Sequence, residues 1–243
     1  MYGERARIGL IVPSSNTVCE PEMVAMLPEG VATYATRILF EPTIKGLKAM
    51  RQDVGRATLE LSSEGICDII AFCCTVGSMI GGADYDKKLQ HFIQDKAGVP
   101  ALTTTTAVRA AFNALRVHHI AVATPYTREI NELEKKLLAG MGYDVTQIKG
   151  CHEDVPPEKF KNDMIGRLPP ERAYQMALQV SNAQNEAIFV SCTNFRAIEN
   201  IAGLEKETGK PVVSSNQATL WHSLRTLGIK DPISGFGQLL QYH

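Results

Sequence analysis

The sequence predicts an α/β fold of two pseudo-symmetric Rossmann-like lobes with parallel sheets, with an active site in the cleft between them. Three observations lead there. Short apolar runs alternate with longer amphipathic stretches along the 243 residues, which is the pattern of βα units. The clearest runs are rich in Ile and Val and do not alternate strictly in polarity, as expected of strands buried on both faces. The second half of the chain also repeats the landmarks of the first at a nearly constant spacing.

Strands are expected at 7–12, 32–38, 66–73, 100–103, 119–123, 144–148, 187–191 and 211–214. Helical stretches lie between them. The stretch 129–139 puts Ile130, Leu133, Leu137 and Leu138 on one face, with Glu132, Glu134, Lys135 and Lys136 expected away from it. Residues 170–184 and 218–227 read similarly, though less cleanly.

The repeat is visible in three matched segments. IGLIVPSSN at 8–16 answers to IAVATPYTR at 120–128. DIIAFCCTVGS at 68–78 answers to EAIFVSCTNFR at 186–196, each an acid, an apolar strand and then Cys-Thr. GVPALTTTTAVRAAFNAL at 98–115 answers to GKPVVSSNQATLWHSL at 209–224. Pro13 and Pro125 lie 112 positions apart, Cys74 and Cys192 lie 118 apart, and Pro100 and Pro211 lie 111 apart. One set of βα units is duplicated. The first lobe is expected at 1–107 plus 216–243 and the second at 108–215. The helix after Ser215 should return to the first lobe, as the helix after Thr106 leads into the second.

Two lobes of this kind pack about a pseudo-two-fold axis, and ligands sit outside the carboxyl ends of parallel strands. Cys74 and Cys192 end equivalent strands, so they should face one site from opposite sides. At a strand-to-helix junction, backbone N–H groups and the positive helix end are expected to lower a thiol pKa. Such a pair can exchange a proton across one carbon, or one sulfur can add covalently while the other handles the proton. Cys73 should point to the opposite face of its strand. Cys73, Cys19, Cys67 and Cys151 are read as core residues.

The loop from Pro13 to Thr17 follows the first strand, so Ser15 and Asn16 are candidates for an anion-binding rim. Its counterpart is Pro125-Tyr126-Thr127, where Tyr126 offers a phenol donor to a carboxylate or a developing enediolate. The hydroxyl runs 103–106 and 214–216 close the remaining strand ends, several of them as helix caps.

Composition removes other classes. A net charge of -1 with no block of like charges argues against nucleic acid or a membrane surface as partner. The apolar run from Ile8 to Val12 is too short for a signal-peptide core, and no stretch reaches transmembrane length, so the cytoplasm is expected. Six cysteines without C-x-x-C spacing form neither a disulfide framework nor a zinc site, and no metal is expected. There is no P-loop, no Gly-x-Gly-x-x-Gly after the first strand and no Gly-x-Ser-x-Gly. Gly235-Phe236-Gly237 is too short for a dinucleotide loop.

The motifs together resemble the aspartate/glutamate racemase superfamily, in the branch of maleate cis-trans isomerases and arylmalonate decarboxylases, nearly end to end. RIGLIVPSSNT, CTVGSM, TPYTREI, KNDMIGR and SCTN carry the resemblance, through Asn16, Cys74, Tyr126, Asn162 and Cys192. It implies a cofactor-independent isomerisation of maleate, or a close unsaturated dicarboxylate, to fumarate. Cys74 would add to the double bond and Cys192 would be its acid/base partner. Asn16, Tyr126 and Asn162 would hold carboxylates, with Ser15, Thr75 and Thr193 as further substrate-binding candidates. The alternative is a two-cysteine racemase of an amino acid or hydantoin-like substrate, or an arylmalonate-type decarboxylase. The decarboxylases resembled have glycine at the first cysteine position, which Cys74 argues against. Thr75, Gly77-Ser78 and Asn194-Phe195-Arg196 depart from the isomerase pattern, and Arg196 is expected as an extra carboxylate contact. The partner is a small carboxylate, and a homo-oligomer (dimer or tetramer) stays open.

Overall fold

The computed structural model describes residues 2–41 and 43–243. All eight expected strands form. β1 (Ala6–Pro13), β2 (Val31–Ile38), β3 (Ile69–Phe72) and β4 (Ala101–Thr103) make a parallel sheet in the order β2-β1-β3-β4. β5 (His119–Thr124), β6 (Asp144–Gly150), β7 (Ala187–Val190) and β8 (Val212–Ser214) make a second in the identical order β6-β5-β7-β8. α1 (Cys19–Met26), α2 (Ile44–Ala49), α3 (Arg51–Ser62), α4 (Thr75–Met79), α5 (Ala83–Ala97) and α6 (Thr104–Leu115) accompany the first sheet in sequence. α7 (Arg128–Gly140), α8 (Asp163–Gly166), α9 (Pro170–Val180), α10 (Ile201–Thr208) and α11 (Ser215–Thr226) accompany the second, and α12 (Gln238–Tyr242) ends the chain. None of the described helices is long and apolar enough to cross a membrane.

Burial follows position in the sheet. β1, β3, β5 and β7 are buried along almost their whole length, whereas the edge strands β2 and β6 expose much of theirs. The strand expected from residue 66 begins only at Ile69. Asp68 turns its carboxylate back to accept from the Arg7 backbone N–H at 2.8 Å and from the Arg7 guanidinium. Glu186, its counterpart, accepts from the N–H groups of His118 and His119. The acid that opens each Cys-Thr strand therefore caps the start of the neighbouring central strand.

α6 and α11 join the lobes. Thr103 caps α6 by accepting the Thr106 N–H, and Ser214 and Gln217 form a reciprocal capping box on α11. Phe112 of α6 meets Phe189 of β7 edge to face, centroids 5.6 Å apart. Burying a side chain of that size stabilises by roughly 1.5–3 kcal/mol. α11 packs along α6 and α1 and touches β3 and β4.

One helical residue differs from expectation. Ile130 and Leu138 of α7 are buried, but so is Glu134, at 0 % exposure. Residues 130, 134 and 138 share one i, i+4 row, and that row faces inward. The apolar stripe of α7 is interrupted by a carboxylate where the periodicity placed it outside.

In each sheet the strand order reverses beside the first strand, between β1 and β3 and between β5 and β7. Loops leaving such strands diverge and open a crevice. Those four loops carry Asn16, Cys74, Tyr126 and Cys192.

Candidate active site

One enclosed cavity lies between the lobes, and Cys74 and Cys192 both line it. Asn16, Thr75, Tyr126, Asn162, Thr193 and Asn194 supply its polar wall. Phe40, Leu47, Val76, Ile130, Phe160 and Ile165 supply much of the apolar one. Seven of the eight residues expected at the site are thus brought together. Ser15 stands just behind, accepting a hydrogen bond from Asn162 Nδ2 at 2.6 Å. Among the described residues no Lys, Arg or His side chain lines the cavity, so an anion there would meet neutral donors.

Cys74 ends β3 in an extended conformation and opens α4. The Gly77 N–H points to its sulfur. A Cβ on Gly77 would lie 2.8 Å from Cys74 Sγ, so glycine lets the sulfur lie over the helix start. Cys192 sits after β7 with φ of 116°, in the left-handed half of conformational space that a side chain disfavours. Its sulfur accepts from the Asn194 N–H at 3.3 Å and lies beside the Tyr126 phenol, while the Phe195 N–H donates to the Cys192 carbonyl at 3.1 Å. Tyr126 is buried.

The threonines after the two cysteines reach across the seam. Thr75 Oγ1 bonds Ser215 Oγ at 2.9 Å, and Ser215 Oγ in turn accepts the Cys192 N–H at 3.0 Å. Thr193 Oγ1 donates to the Cys73 carbonyl and accepts from Asn16 Nδ2, both at 3.0 Å. Asn16 Oδ1 accepts the N–H groups of Val18 and Cys19. That leaves Asn16 one amide N–H for a ligand. Asn194 ties the rim together, its Oδ1 accepting the Thr17 N–H and its Nδ2 donating to the Asn162 carbonyl.

Two expectations are corrected. Burial pushes both thiols up to about 12 and outweighs the N–H groups that pull them down, so neither rests as a thiolate. Arg196 is exposed and pairs with Glu199, away from the cavity. Cys19 and Cys73 are buried against each other in the core.

Besides Asp86 of α5, which is buried and accepts from the hydroxyls of Thr103 and Thr106, sequence reasoning missed two buried carboxylates, one in each lobe. Glu22 of α1 accepts from the Ala197 N–H at 2.7 Å, the Ile198 N–H and Asn216 Nδ2 at 2.7 Å. Glu134 of α7 accepts from Ser191 Oγ at 2.5 Å, and its other oxygen has no partner. Burial holds both near 7, well above the ordinary carboxyl value of 4.5. They are 112 positions apart, the spacing of Pro13 and Pro125, and that spacing is the signal that could have found them.

The model of the arylmalonate decarboxylase family matches residues 8–240. The chain belongs to this family. It is 29% identical to a maleate isomerase of Pseudomonas putida over 248 residues, and 28% identical to one of Geobacillus stearothermophilus over 250 residues. Each alignment covers 96% of both chains. Among solved structures, a cysteine-to-alanine variant of the maleate isomerase Iso from Pseudomonas putida S16, crystallised with maleate, superposes with a TM-score of 0.86. That likeness has 26% identity and covers 97% of each chain. The family branch is the one its motifs resemble.

Proposed function

We propose that the chain isomerises maleate, or a close unsaturated dicarboxylate, to the trans isomer by cysteine chemistry alone. The observation that carries this reading is the pair Cys74 and Cys192, pseudo-equivalent and lining one enclosed cavity with Asn16, Tyr126 and Asn162. Likeness to maleate isomerases over almost the whole chain supports the substrate.

In this reading Cys74 sulfur adds to one olefinic carbon. The C–S bond forms as the S–H bond breaks, and the π pair moves to the neighbouring carbon and its carboxylate as an enediolate-like species. The Cys74 proton passes to the substrate carboxylate, to return to the sulfur when it is expelled. The remaining carbon–carbon bond is single and rotates. Expulsion of the sulfur restores the double bond in the trans arrangement. Cys192 lends a proton to the developing charge and takes it back, so atoms and charge balance over the cycle. Asn16 and Asn162 hold carboxylates through the second N–H of each amide, the first being given to Thr193 and Ser15, and Tyr126 holds Cys192 and the adjacent charge. Ser15 orients Asn162, and Thr75 and Thr193 hold the two cysteine loops in register. The two lobes are 1–107 plus 216–243 and 108–215, and the protein acts on its small carboxylate in the cytoplasm.

Proton NMR of maleate incubated with the protein tests this directly. The olefinic signal of maleate should give way to that of fumarate. A folded protein that leaves maleate unchanged overturns the substrate assignment.

A further inference from the structure

Duplication gives two cysteines in equivalent settings, yet a cycle in which one adds and the other handles the proton needs them unequal. The difference is visible behind the cavity wall. α1 and α7 each follow the first strand of their lobe, and each buries one carboxylate at an equivalent place, Glu22 and Glu134. Glu22 faces the seam, where two backbone N–H groups and Asn216 Nδ2 donate to it. Its charge form is well compensated. Glu134 has one donor, the hydroxyl of Ser191, and Ser191 is the residue before Cys192. Its second oxygen is buried without a partner, and its charge acts on both Cys192 and Tyr126.

We propose that Glu134 is a positioning residue that, when ionised, holds the proton on Cys192 more tightly than burial alone does, and so biases Cys192 towards the role of proton donor. An ionised carboxylate held by the residue before Cys192, its charge reaching Cys192 and Tyr126, disfavours a second negative charge on either and favours the proton on sulfur. Cys74, in the other lobe, lies beyond this effect: its own surroundings are the Gly77 N–H and the other cysteines. The titratable groups that face Glu134 are Cys192 and Tyr126. On the flanking β6, Asp144 and Lys149 point to solvent, and Glu153 is held by Asn131 Nδ2 and the Gly150 N–H. On α7 itself Glu129, Glu132 and Lys136 are exposed. Burial that holds the carboxyl near 7 makes the effect switch on across neutral pH: absent when Glu134 is neutral, complete when it is charged.

The inference rests on the two-cysteine reading, but its test does not need the substrate. Alkylation of Cys192 by iodoacetamide, followed by peptide mass spectrometry, reports the thiolate fraction at each pH. Glu134→Gln should label at the wild-type rate at pH 5.5, and the ratio should climb through pH 7 to about tenfold at pH 8.5, equal to one pKa unit. Ser191→Ala removes the donor that favours the charged form of Glu134. It should label faster than wild type near pH 7.5 and converge with it at higher pH. Cys74 labelling should be unchanged in both. A ratio for Cys192 that is flat with pH, in either folded variant, overturns the proposal, since a packing defect would act at every pH. A protein inert towards maleate would overturn the substrate reading and leave this profile to be decided on its own.

Discussion

Asn16 and Tyr126 occupy equivalent loops, one after β1 and the other after β5, and they do opposite things. Asn16 commits its amide oxygen to the N–H groups of Val18 and Cys19 and one amide hydrogen to Thr193 in the other lobe. Tyr126 turns its phenol inward to the sulfur of Cys192. The carboxylates behind them divide in the same way. Glu22 stitches the seam through three donors, while Glu134 has one, the residue before Cys192. Duplication supplied a symmetric frame. The first lobe then used its polar groups to hold the lobes together, and the second used its own to set the state of a sulfur.

The largest effect should come from the cysteines themselves. Cys74→Ala and Cys192→Ala should each cut kcat at least about a thousandfold with the circular dichroism of the folded protein retained. Full activity in either variant would break the paired mechanism, and an equal pH profile of residual activity in both would break the assignment of unequal roles.

Next comes stability against pH. Glu22 and Glu134 both titrate near 7 in the fold, above the unfolded value of 4.5. Their raised values mean that stability is fully present below about pH 4.5 and is lost as pH climbs through 7, by about 3 kcal/mol each at most. Denaturant unfolding of Glu134→Gln at pH 5 and pH 8 should show a smaller loss between the two than wild type. Glu22→Gln should instead lose stability at both, because its single amide oxygen can serve the backbone N–H groups of Ala197 and Ile198 or Asn216 Nδ2 but not both, and its NH2 faces a donor at the other place. The same slope in Glu134→Gln as in wild type would remove the buried carboxylate from the account.

Tyr126→Phe should lower kcat about a hundredfold, as loss of one donor to developing charge does, with KM changed less. A loss in KM alone would make the phenol a carboxylate contact and nothing more. The smallest effects belong to the seam. Thr193→Val leaves Asn16 and the Cys73 carbonyl unpaired and should cost about 2 kcal/mol, against about 1 kcal/mol for Thr75→Val, whose hydroxyl bonds only Ser215. Thermal unfolding of the two variants checks the order.

Much of this frame was legible in the chain. The strands β1, β3, β5 and β7 showed as short apolar runs because central strands of a parallel sheet are buried on both faces. The duplication, read from Pro13, Cys74, Pro100 and their partners, brought Cys74 and Cys192 to one cavity before any contact was known. The motifs supplied Asn16, Tyr126 and Asn162. What escaped was of one kind. Glu134 was assigned to solvent because a charged residue in an amphipathic helix nearly always goes there, and only its i, i+4 row with Ile130 and Leu138 says otherwise. The thiol acidity was misjudged for the same reason, since local N–H groups are visible in a strand-to-helix motif and the depth of burial is not. Arg196 is next to the Cys192 loop in sequence, but its side chain leaves with Glu199.

The backbone at Cys192 has a consequence for engineering. A φ of 116° is one that glycine adopts freely and that a side chain holds only at about 1–3 kcal/mol of strain. Folding stability alone would therefore favour glycine at position 192, and chemistry alone favours sulfur. A library screened for heat resistance, without an assay for turnover, should drift towards Cys192→Gly and return hardier proteins with no function. Stabilisation of this scaffold has to be sought away from the turn that carries its proton donor.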